Sequence, residues 1–234
     1  MNLHILSGGA AQGLLAAISR EIEAATGCTI AATFGAVGAI RDKLAAGAPA
    51  DLVILTRSVI DELTQTGHVI AGSSVDIGVV HTGIAVRAGA PLPGIGTAVA
   101  LRDALRSADA VLFPDPQLAT AGIHFTKVLR QLGLTDELAG RIRTYPNGAA
   151  AMHALAAGRE RRAIGCTQIT EIVATPGVTL AGRLPHEFEL ATLYTAAVGA
   201  HAASPDQARL LAALLAGPAT AEARRRSGMT EAHP

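Results

Sequence analysis

The chain has 234 residues, of which 50% are apolar, so it is long enough to bury the core of one large domain or of two smaller ones. Its 19 basic and 19 acidic side chains cancel, which argues against nucleic acid as a partner, and aromatic residues, at 3%, are too few to form stacking platforms for single strands. Two cysteines, Cys28 and Cys166, fit neither a disulfide framework nor a metal-ligand spacing, and no apolar run is long enough to span a membrane.

Strand and helix patterns alternate along the first part of the chain. The predicted elements are a strand at 3–6, a helical pattern at 14–22, a strand at 28–34, a helix at 37–46, a strand at 52–55, a helix at 59–66 and a strand at 82–86. These strands are continuous apolar runs, which is typical of a parallel sheet covered by helices on both faces. The sequence therefore predicts an α/β fold with mainly parallel sheets.

A second alternation follows. Its predicted elements are a helix at 98–106, a strand at 110–113, helices at 123–132 and 149–157, strands at 163–165, 178–180 and 191–199, and two short helices from residue 205 onward. The stretch GAPLPGIG at 89–96 is rich in proline and glycine, which favours an edge between two lobes there.

Three junctions between a strand and a helix are rich in glycine and poor in side chains that react. They read SGGAAQG at 7–13, FGAVGAI at 34–40 and PNGAAAM at 146–152. The first N–H groups of a helix and the positive end of its dipole favour an anion at such a junction. None of the three fits the spacing of a nucleotide-binding motif, so the sequence predicts a small anionic ligand and no cofactor.

The residues at these junctions resemble the molybdate-binding proteins of ABC importers. The run from Leu3 to Leu55, which ends in GAPADLVIL, resembles their amino-terminal lobe, and FPDPQLATAGIHFTKVLRQLGL at 113–134 and IGCTQITEI at 164–172 match later parts. The resemblance covers residues 2–228 and implies a type II periplasmic-binding-protein fold with a ligand cleft between two lobes. It places lobe one at 1–80 plus 190–234 and lobe two at 81–189, with closure about the crossovers on binding.

The hydroxyl groups by which that family holds its oxyanion are missing here. Carried over by position, they fall on Ala10, Val37 and Cys166. A buried oxyanion needs many donors, so the resemblance implies a cleft retuned from molybdate to an organic carboxylate. The predicted ligand-binding residues are Ser7, Gly9, Ala10, Gln12, Gly35, Ala36, Val37, Gly38, Gly122, Asn147, Gly148, Cys166, Thr167 and Gln168.

The same fold also carries enzymes, and an aconitate isomerase is similar to the molybdate-binding proteins. An isomerase of an unsaturated di- or tricarboxylic acid needs a base and donors that stabilise the developing charge. The candidate catalytic residues are His124, Asp115 and Cys166. Each also has a structural interpretation: His124 as a residue on a helix face, Asp115 as a turn residue between two prolines, and Cys166 as a small buried apolar residue.

The sequence favours a binding protein for a small anion, with a soluble isomerase of carboxylic acids as the alternative and a cytoplasmic ligand sensor as a third function. The sensor is disfavoured because no helix-turn-helix or basic segment accompanies it. No metal is predicted, because HEFE at 186–189 lacks a pair of histidines four residues apart. Met1 and Asn2 lead directly into the first strand, which predicts a cytoplasmic protein if Met1 is the native start; a removed leader would instead predict the periplasm, with an ABC permease as partner.

Overall fold

The computed structural model describes residues 2–231, so Met1, on which the predicted start depends, lies outside the described residues. The chain divides into two compact units. Unit 1 comprises Met1–Val80 and Thr192–Pro234, and unit 2 comprises His81–Ala191. The chain passes from unit 1 to unit 2 within strand β4 (Val75–Arg87) and returns within strand β9 (Ala191–Val198).

Unit 1 is built on a sheet in which the strand order is β2-β1-β3-β9. Strands β1 (Asn2–Gly8), β2 (Thr29–Gly35) and β3 (Leu52–Thr56) run parallel, and β9 pairs with β3 in the antiparallel direction. A two-residue strand, β10 (Met229–Thr230), pairs antiparallel with β4. All five residues of β3 are buried, as expected for a central strand covered on both faces.

Six α-helices of unit 1 lie within residues 2–231. They are α1 (Gln12–Ala17), α2 (Ser19–Thr26), α3 (Val37–Ala45), α4 (Arg57–Gln65), α9 (Pro205–Ala216) and α10 (Ala221–Arg226). The helical pattern predicted at 14–22 is divided between α1 and α2, because the backbone of Ile18 leaves the helical region at φ −111° and ψ 23°. Leu14, Ile18 and Ile22 nevertheless all lie in one apolar core, so the predicted buried stripe is retained.

Unit 2 has its own sheet, in the order β4-β7-β5-β6. Strands β5 (Ala110–Pro114), β6 (Ile142–Tyr145) and β7 (Ala163–Gln168) run parallel, whereas β4 pairs antiparallel with both β7 and β8 (Val178–Arg183). Its helices are α5 (Ala98–Ser107), α6 (Thr120–Gln131), α7 (Gly148–Ala157) and α8 (Ile169–Val173).

Alternation along β7 divides the core of unit 2 into two clusters. Ile164 and Cys166 belong to one cluster with Phe113 and Phe125, whose rings meet edge to face at a centroid distance of 5.4 Å. Ala163 belongs to the other cluster, with residues of α7. Successive side chains of a strand point to opposite faces, so the position of a residue in β7 decides which cluster it joins.

The mixed α/β fold with parallel strands in each unit confirms the predicted fold class. The antiparallel strands β4, β8, β9 and β10 qualify the prediction of mainly parallel sheets. Strands β6 and β10 and helix α8 were not predicted, because segments of two to five residues are too short for a periodic pattern. In the described part of the chain, no helix is long and apolar enough to cross a membrane.

Candidate functional site

In unit 1, the carboxyl end of each of the three parallel strands leads directly into helical structure. Helix α3 follows its N-cap Ala36, α4 follows its N-cap Thr56, and β1 ends in a 3-10 turn at Gly9–Ala11 before α1. Among the described residues, no side chain caps any of these starts. The first N–H groups of such helices have no acceptor within the helix and carry the positive end of the dipole, so this edge offers backbone donors to an anion.

The turn after β1 has glycine at position 8 because the ring of Tyr194 packs against it. A Cβ atom at Gly8 would lie 3.1 Å from Cε1 of Tyr194 and 3.4 Å from its hydroxyl oxygen. Tyr194, on β9, is 2% exposed and belongs to the core of unit 1. Its phenol oxygen nevertheless lies beside the first helix start, a placement that the sequence did not predict.

The other predicted ligand-binding residues of unit 1 differ in what they can offer. Ser7 is fully buried, and its hydroxyl donates to the carbonyl oxygen of Gly8 at 2.8 Å. That hydroxyl hydrogen is therefore engaged within the strand end. The residues that the structure gathers at the strand ends are Gly9, Ala10, Gln12, Gly35, Ala36, Val37 and Gly38.

A charged side chain stands at the start of α4, but carboxylates already surround it. Arg57 donates through Nε to Asp61 at 2.9 Å and through its NH1 nitrogen to both oxygens of Asp76 at 3.2 Å. Asp76 also accepts a hydrogen bond from the Thr195 hydroxyl at 2.7 Å. With its guanidinium engaged in this way, Arg57 leaves the backbone amides as the donors of this edge.

In unit 2, the loop between β5 and α6 is built tightly around Asp115. Its Oδ1 accepts the backbone N–H groups of Gln117 at 2.7 Å and Leu118 at 2.9 Å, the geometry of a turn residue. A Cβ atom at Gly122 would overlap the carbonyl oxygens of Pro114 and Asp115, so the helix needs glycine there to approach the strand end. The turn geometry accounts for Asp115, and the close approach of α6 to the end of β5 accounts for Gly122.

Two other predicted catalytic residues also have structural roles. The Nε2 atom of His124, which is half-buried, lies 2.8 Å from the carbonyl oxygen of Phe188 and ties α6 to the segment before β9. Cys166 is 0% exposed within an apolar cluster, and burial raises the pKa of its thiol. A buried thiol among apolar side chains fits the structural interpretation of Cys166 as a small buried apolar residue.

The start of α7, the third predicted anion junction, is already occupied by the protein's own side chains. Asn147 caps the helix by accepting the N–H of Ala150 at 2.9 Å. The carboxylate of Glu171 accepts the Thr167 hydroxyl at 2.6 Å and the backbone N–H groups of Gly148, Ala149 and Gln168. At the anion site predicted at Asn147 and Gly148, the carboxylate of Glu171 and the side chain of Asn147 therefore already accept the backbone N–H groups.

Glu171 was missed by the sequence analysis. It is buried, and desolvation raises the pKa of its carboxyl group, against the opposing effect of the Thr167 hydroxyl and the amides. A Cβ atom at Gly148 would overlap both the carboxylate of Glu171 and the hydroxyl of Thr167, so glycine is required for this contact. The available signal was the spacing of Thr167 and Glu171, four residues apart after a buried strand.

Buried polar atoms without partners gather at the carboxyl end of β7. They are the side-chain oxygens of Thr82, Gln168 and Thr170, whose residues are 1%, 3% and 1% exposed and which have no hydrogen-bond partner within residues 2–231. Thr82 lies directly opposite Gln168 in the pairing of β4 with β7. Because buried polar atoms nearly always have a partner, these oxygens call for an ordered water or a polar ligand.

A histidine at the same end of the sheet is paired with a carboxylate. The Nδ1 atom of His81 lies 2.9 Å from Oε1 of Glu189, and the NH1 nitrogen of Arg183 lies 3.5 Å from the same oxygen. Burial and the charge of Arg183 lower the pKa of His81, and Glu189 opposes them. The sequence analysis set Glu189 aside with the HEFE segment, and no group of metal-ligating side chains is found in the described chain.

The whole chain can now be compared with known proteins. The model of the family described as "Bacterial extracellular solute-binding protein" matches residues 3–230. The chain belongs to this family. An aconitate isomerase from a Pseudomonas species is 31% identical to this solute-binding protein over 233 residues, which cover 97% of the chain and 87% of the relative.

Solved structures show the same fold at lower identity. The periplasmic molybdate-binding protein of Azotobacter vinelandii has a TM-score of 0.82 and 19% identity to this solute-binding protein, covering 99% of this chain and 100% of that one. The sulfate-binding protein SubI of Mycobacterium tuberculosis H37Rv has a TM-score of 0.77 and 17% identity, covering 100% of this chain and 88% of that one. The predicted resemblance to the molybdate-binding proteins is thus confirmed for the family and the fold.

Proposed function

We propose that this solute-binding protein is an isomerase of a small unsaturated polycarboxylic acid, which moves a proton across an allylic unit. The observation that carries the proposal is the 31% identity to an aconitate isomerase over 97% of the chain. The match spans both units, so it includes every strand end described above.

The donors at the strand ends of unit 1 support a carboxylate ligand. The uncapped helix starts offer backbone amides, and Ala10 and Val37 lie at these starts without a hydroxyl group to add. Arg57 is already engaged with Asp61 and Asp76. Backbone amides at helix starts can donate to the oxygens of a carboxylate.

The reaction needs few groups. One base removes a proton from a methylene carbon next to a carboxylate, hydrogen-bond donors stabilise the charge that develops, and the proton returns two carbons away. No electron is exchanged with a second substrate, so the step needs no oxidant or reductant.

The direct test is proton NMR of cis- and trans-aconitate with the purified protein in D2O. We expect interconversion of the two isomers, with deuterium entering the methylene position. A saturated tricarboxylate such as tricarballylate is the matched control, because it carries the same carboxylates without the allylic activation and should bind without exchange. Absence of both interconversion and exchange at high protein concentration would overturn the proposal.

The second candidate is a binding protein that delivers a small inorganic oxyanion to an ABC permease. The TM-score of 0.82 to a molybdate-binding protein favours it. A thermal-shift series with molybdate, sulfate and the two aconitates separates the candidates, since a ligand at 100 times its Kd stabilises the folded state by about 2.7 kcal/mol. A shift with molybdate or sulfate alone would replace the isomerase by this candidate.

A further inference from the structure

We propose that unit 2 carries a second ligand site, which binds a small amphipathic carboxylate: a ring or short alkyl chain that bears one carboxylate group. The site is a cavity of about 230 Å³ between the loop at 90–93, helix α5 and the start of β7. All of its lining residues belong to unit 2, and the inference does not depend on the proposed isomerase activity.

The cavity lies away from the carboxyl ends of the parallel strands. Val86 and Ile164, which line it, are paired across β4 and β7 near the amino end of β7. At the other end of the same pairing, Thr82 lies opposite Gln168, four residues further along each strand. At about 3.3 Å per residue, the two ends are roughly 13 Å apart. A ligand in the cavity is therefore distinct from one at the carboxyl ends of these strands.

Most of the cavity lining is apolar. Val86 and Ile164 are buried, Ala104 of α5 is half-buried, and Leu92 keeps 59% of its surface exposed. An apolar cavity of about 150 Å³ is large enough for benzene, so this one has room for a ring or a short alkyl chain. A ligand that covers Leu92 would also remove exposed apolar surface from water, which favours binding.

Two neighbouring arginines line the cavity, and they differ in what they contact. Arg162 donates to Asp109 through its backbone N–H at 3.1 Å and through its guanidinium at 3.0 Å. Arg161 is exposed and, within residues 2–231, its side chain has neither a hydrogen bond nor an ion pair. A guanidinium can bind a carboxylate through two parallel N–H···O bonds. An unpaired guanidinium beside an apolar cavity favours an anion with an apolar body over a neutral solute or an inorganic anion.

The walls of the cavity are held in place by the protein itself. Pro91 and Pro93 restrict the backbone of the loop, and the N–H of Ala90 donates to the carbonyl oxygen of Arg87 at 3.0 Å. On the opposite side, the contacts with Asp109 fix the backbone before β7. A preformed site loses little conformational freedom when a ligand enters, so even a small ligand can bind it measurably.

The test is a titration with phenylacetate, followed by ¹H–¹⁵N NMR spectroscopy of the full chain, which locates binding through the amides whose signals shift. We expect a Kd on the order of 1 mM, as for other ligands of this size, with the largest shifts at Ala90, Leu92 and 161–164. Phenylacetamide lacks the charge and acetate lacks the ring, so each should bind at least about threefold more weakly than phenylacetate.

Two surface variants, each with a matched control, separate the charge from the apolar contact. Arg161→Gln should weaken phenylacetate binding by about three- to tenfold, and Arg159→Gln, exposed but outside the cavity lining, should not. Leu92→Ala should weaken binding by about two- to fivefold, whereas Val99→Ala, equally exposed at 58% but outside the lining, should not. In Arg161→Gln, the preference for phenylacetate over phenylacetamide should vanish, because the two substitutions remove the same ion pair.

Several outcomes would overturn the inference. Shifts confined to the strand ends of unit 1, acetate binding as tightly as phenylacetate, or equal losses in Arg161→Gln and Arg159→Gln would each do so. Self-association that disappears in Leu92→Ala, measured by sedimentation, would assign this surface to a second copy of the chain instead. Turnover of aconitate does not enter these measurements, so failure of the proposed isomerase activity and failure of this site are distinguished.

Discussion

The glycine-rich junction before α7 in unit 2 differs from the glycine-rich junctions of unit 1 in how its first helical turn is satisfied. In unit 1, the starts of α1, α3 and α4 have no capping side chain within the described residues. In unit 2, Asn147 and the carboxylate of Glu171 already occupy the start of α7. A free helix start attracts an anion, whereas a start that holds a carboxylate repels one. The comparison teaches that similar glycine-rich junctions can serve a ligand in one unit and the fold in the other.

The largest expected effect comes from disrupting the start of α7, where the carboxylate of Glu171 accepts hydrogen bonds. Gly148→Ala places a methyl group where the carboxylate of Glu171 and the hydroxyl of Thr167 lie, so one of these contacts must break. We expect a loss of about 3 kcal/mol or more in the free energy of unfolding, measured by urea denaturation. Gly94→Ala is the matched control, because a Cβ atom there meets nothing within 4 Å, and it should change stability by less than about 0.5 kcal/mol. Equal stability of the two variants would contradict this account.

A carboxylate introduced at a helix start of unit 1 should compete with the ligand for the amides there. Ala36→Asp at the N-cap of α3 should add up to about 1 kcal/mol of stability, because Asp accepts a first-turn N–H group that Ala leaves uncapped. It should also abolish the stabilisation by ligand, about 2.7 kcal/mol at 100 times the Kd, by competing for the same amides.

The control for this change is Ala119→Asp at the uncapped start of α6, which has a similar extended backbone. It should gain a comparable amount of stability and keep the ligand-induced shift in melting temperature. If Ala36→Asp retained that shift, the amides of α3 would not belong to the binding site.

A smaller effect concerns the pH dependence of the Glu171 contact. Because the folded pKa of Glu171 is raised above its ordinary value of 4.5, the group contributes stability below pH 4.5 that is lost as pH rises through the folded pKa. Urea denaturation of the wild type and Glu171→Gln between pH 4.5 and 8 should therefore show the wild type losing stability relative to the variant as pH rises. A constant difference across this range would show that the hydrogen bonds from Thr167 and the amides fully offset burial.

Local patterns in the sequence carry most of the fold and only part of the site. The apolar run of β3 and the spacing of Leu14, Ile18 and Ile22 identify buried elements without knowledge of their partners. The burial of Cys166 could also have been predicted from the sequence, since it shares a strand face with Ile164 two residues earlier. Local spacing predicts which face of an element is buried, but it does not reveal what that face contacts.

Contacts between distant segments could not be predicted from local sequence patterns. His81 and Glu189 lie far apart in the chain and meet only because β4 and the segment before β9 adjoin in unit 2. The HEFE segment has no periodicity of its own, and nothing in it indicates that one of its carboxylates faces a buried histidine. The antiparallel pairing of β4 with β7, which places Thr82 opposite Gln168, likewise depends on the tertiary fold.

The smallest expected effect tests whether unit 1 binds its ligand through amides alone. Arg57 stands at the start of α4 but donates to Asp61 and Asp76, and all three side chains are partly exposed. Exposed ion pairs contribute little to stability, so Arg57→Ala should leave the melting temperature nearly unchanged and alter ligand affinity by less than about threefold. Calorimetric titration with the best ligand of the thermal-shift series measures this, with Arg41→Ala on α3, which pairs with Asp42, as the matched control. A much larger loss in Arg57→Ala alone would mean that the guanidinium exchanges its carboxylates for those of the ligand, and the contrast between the two units would then be one of charge as well as of free amides.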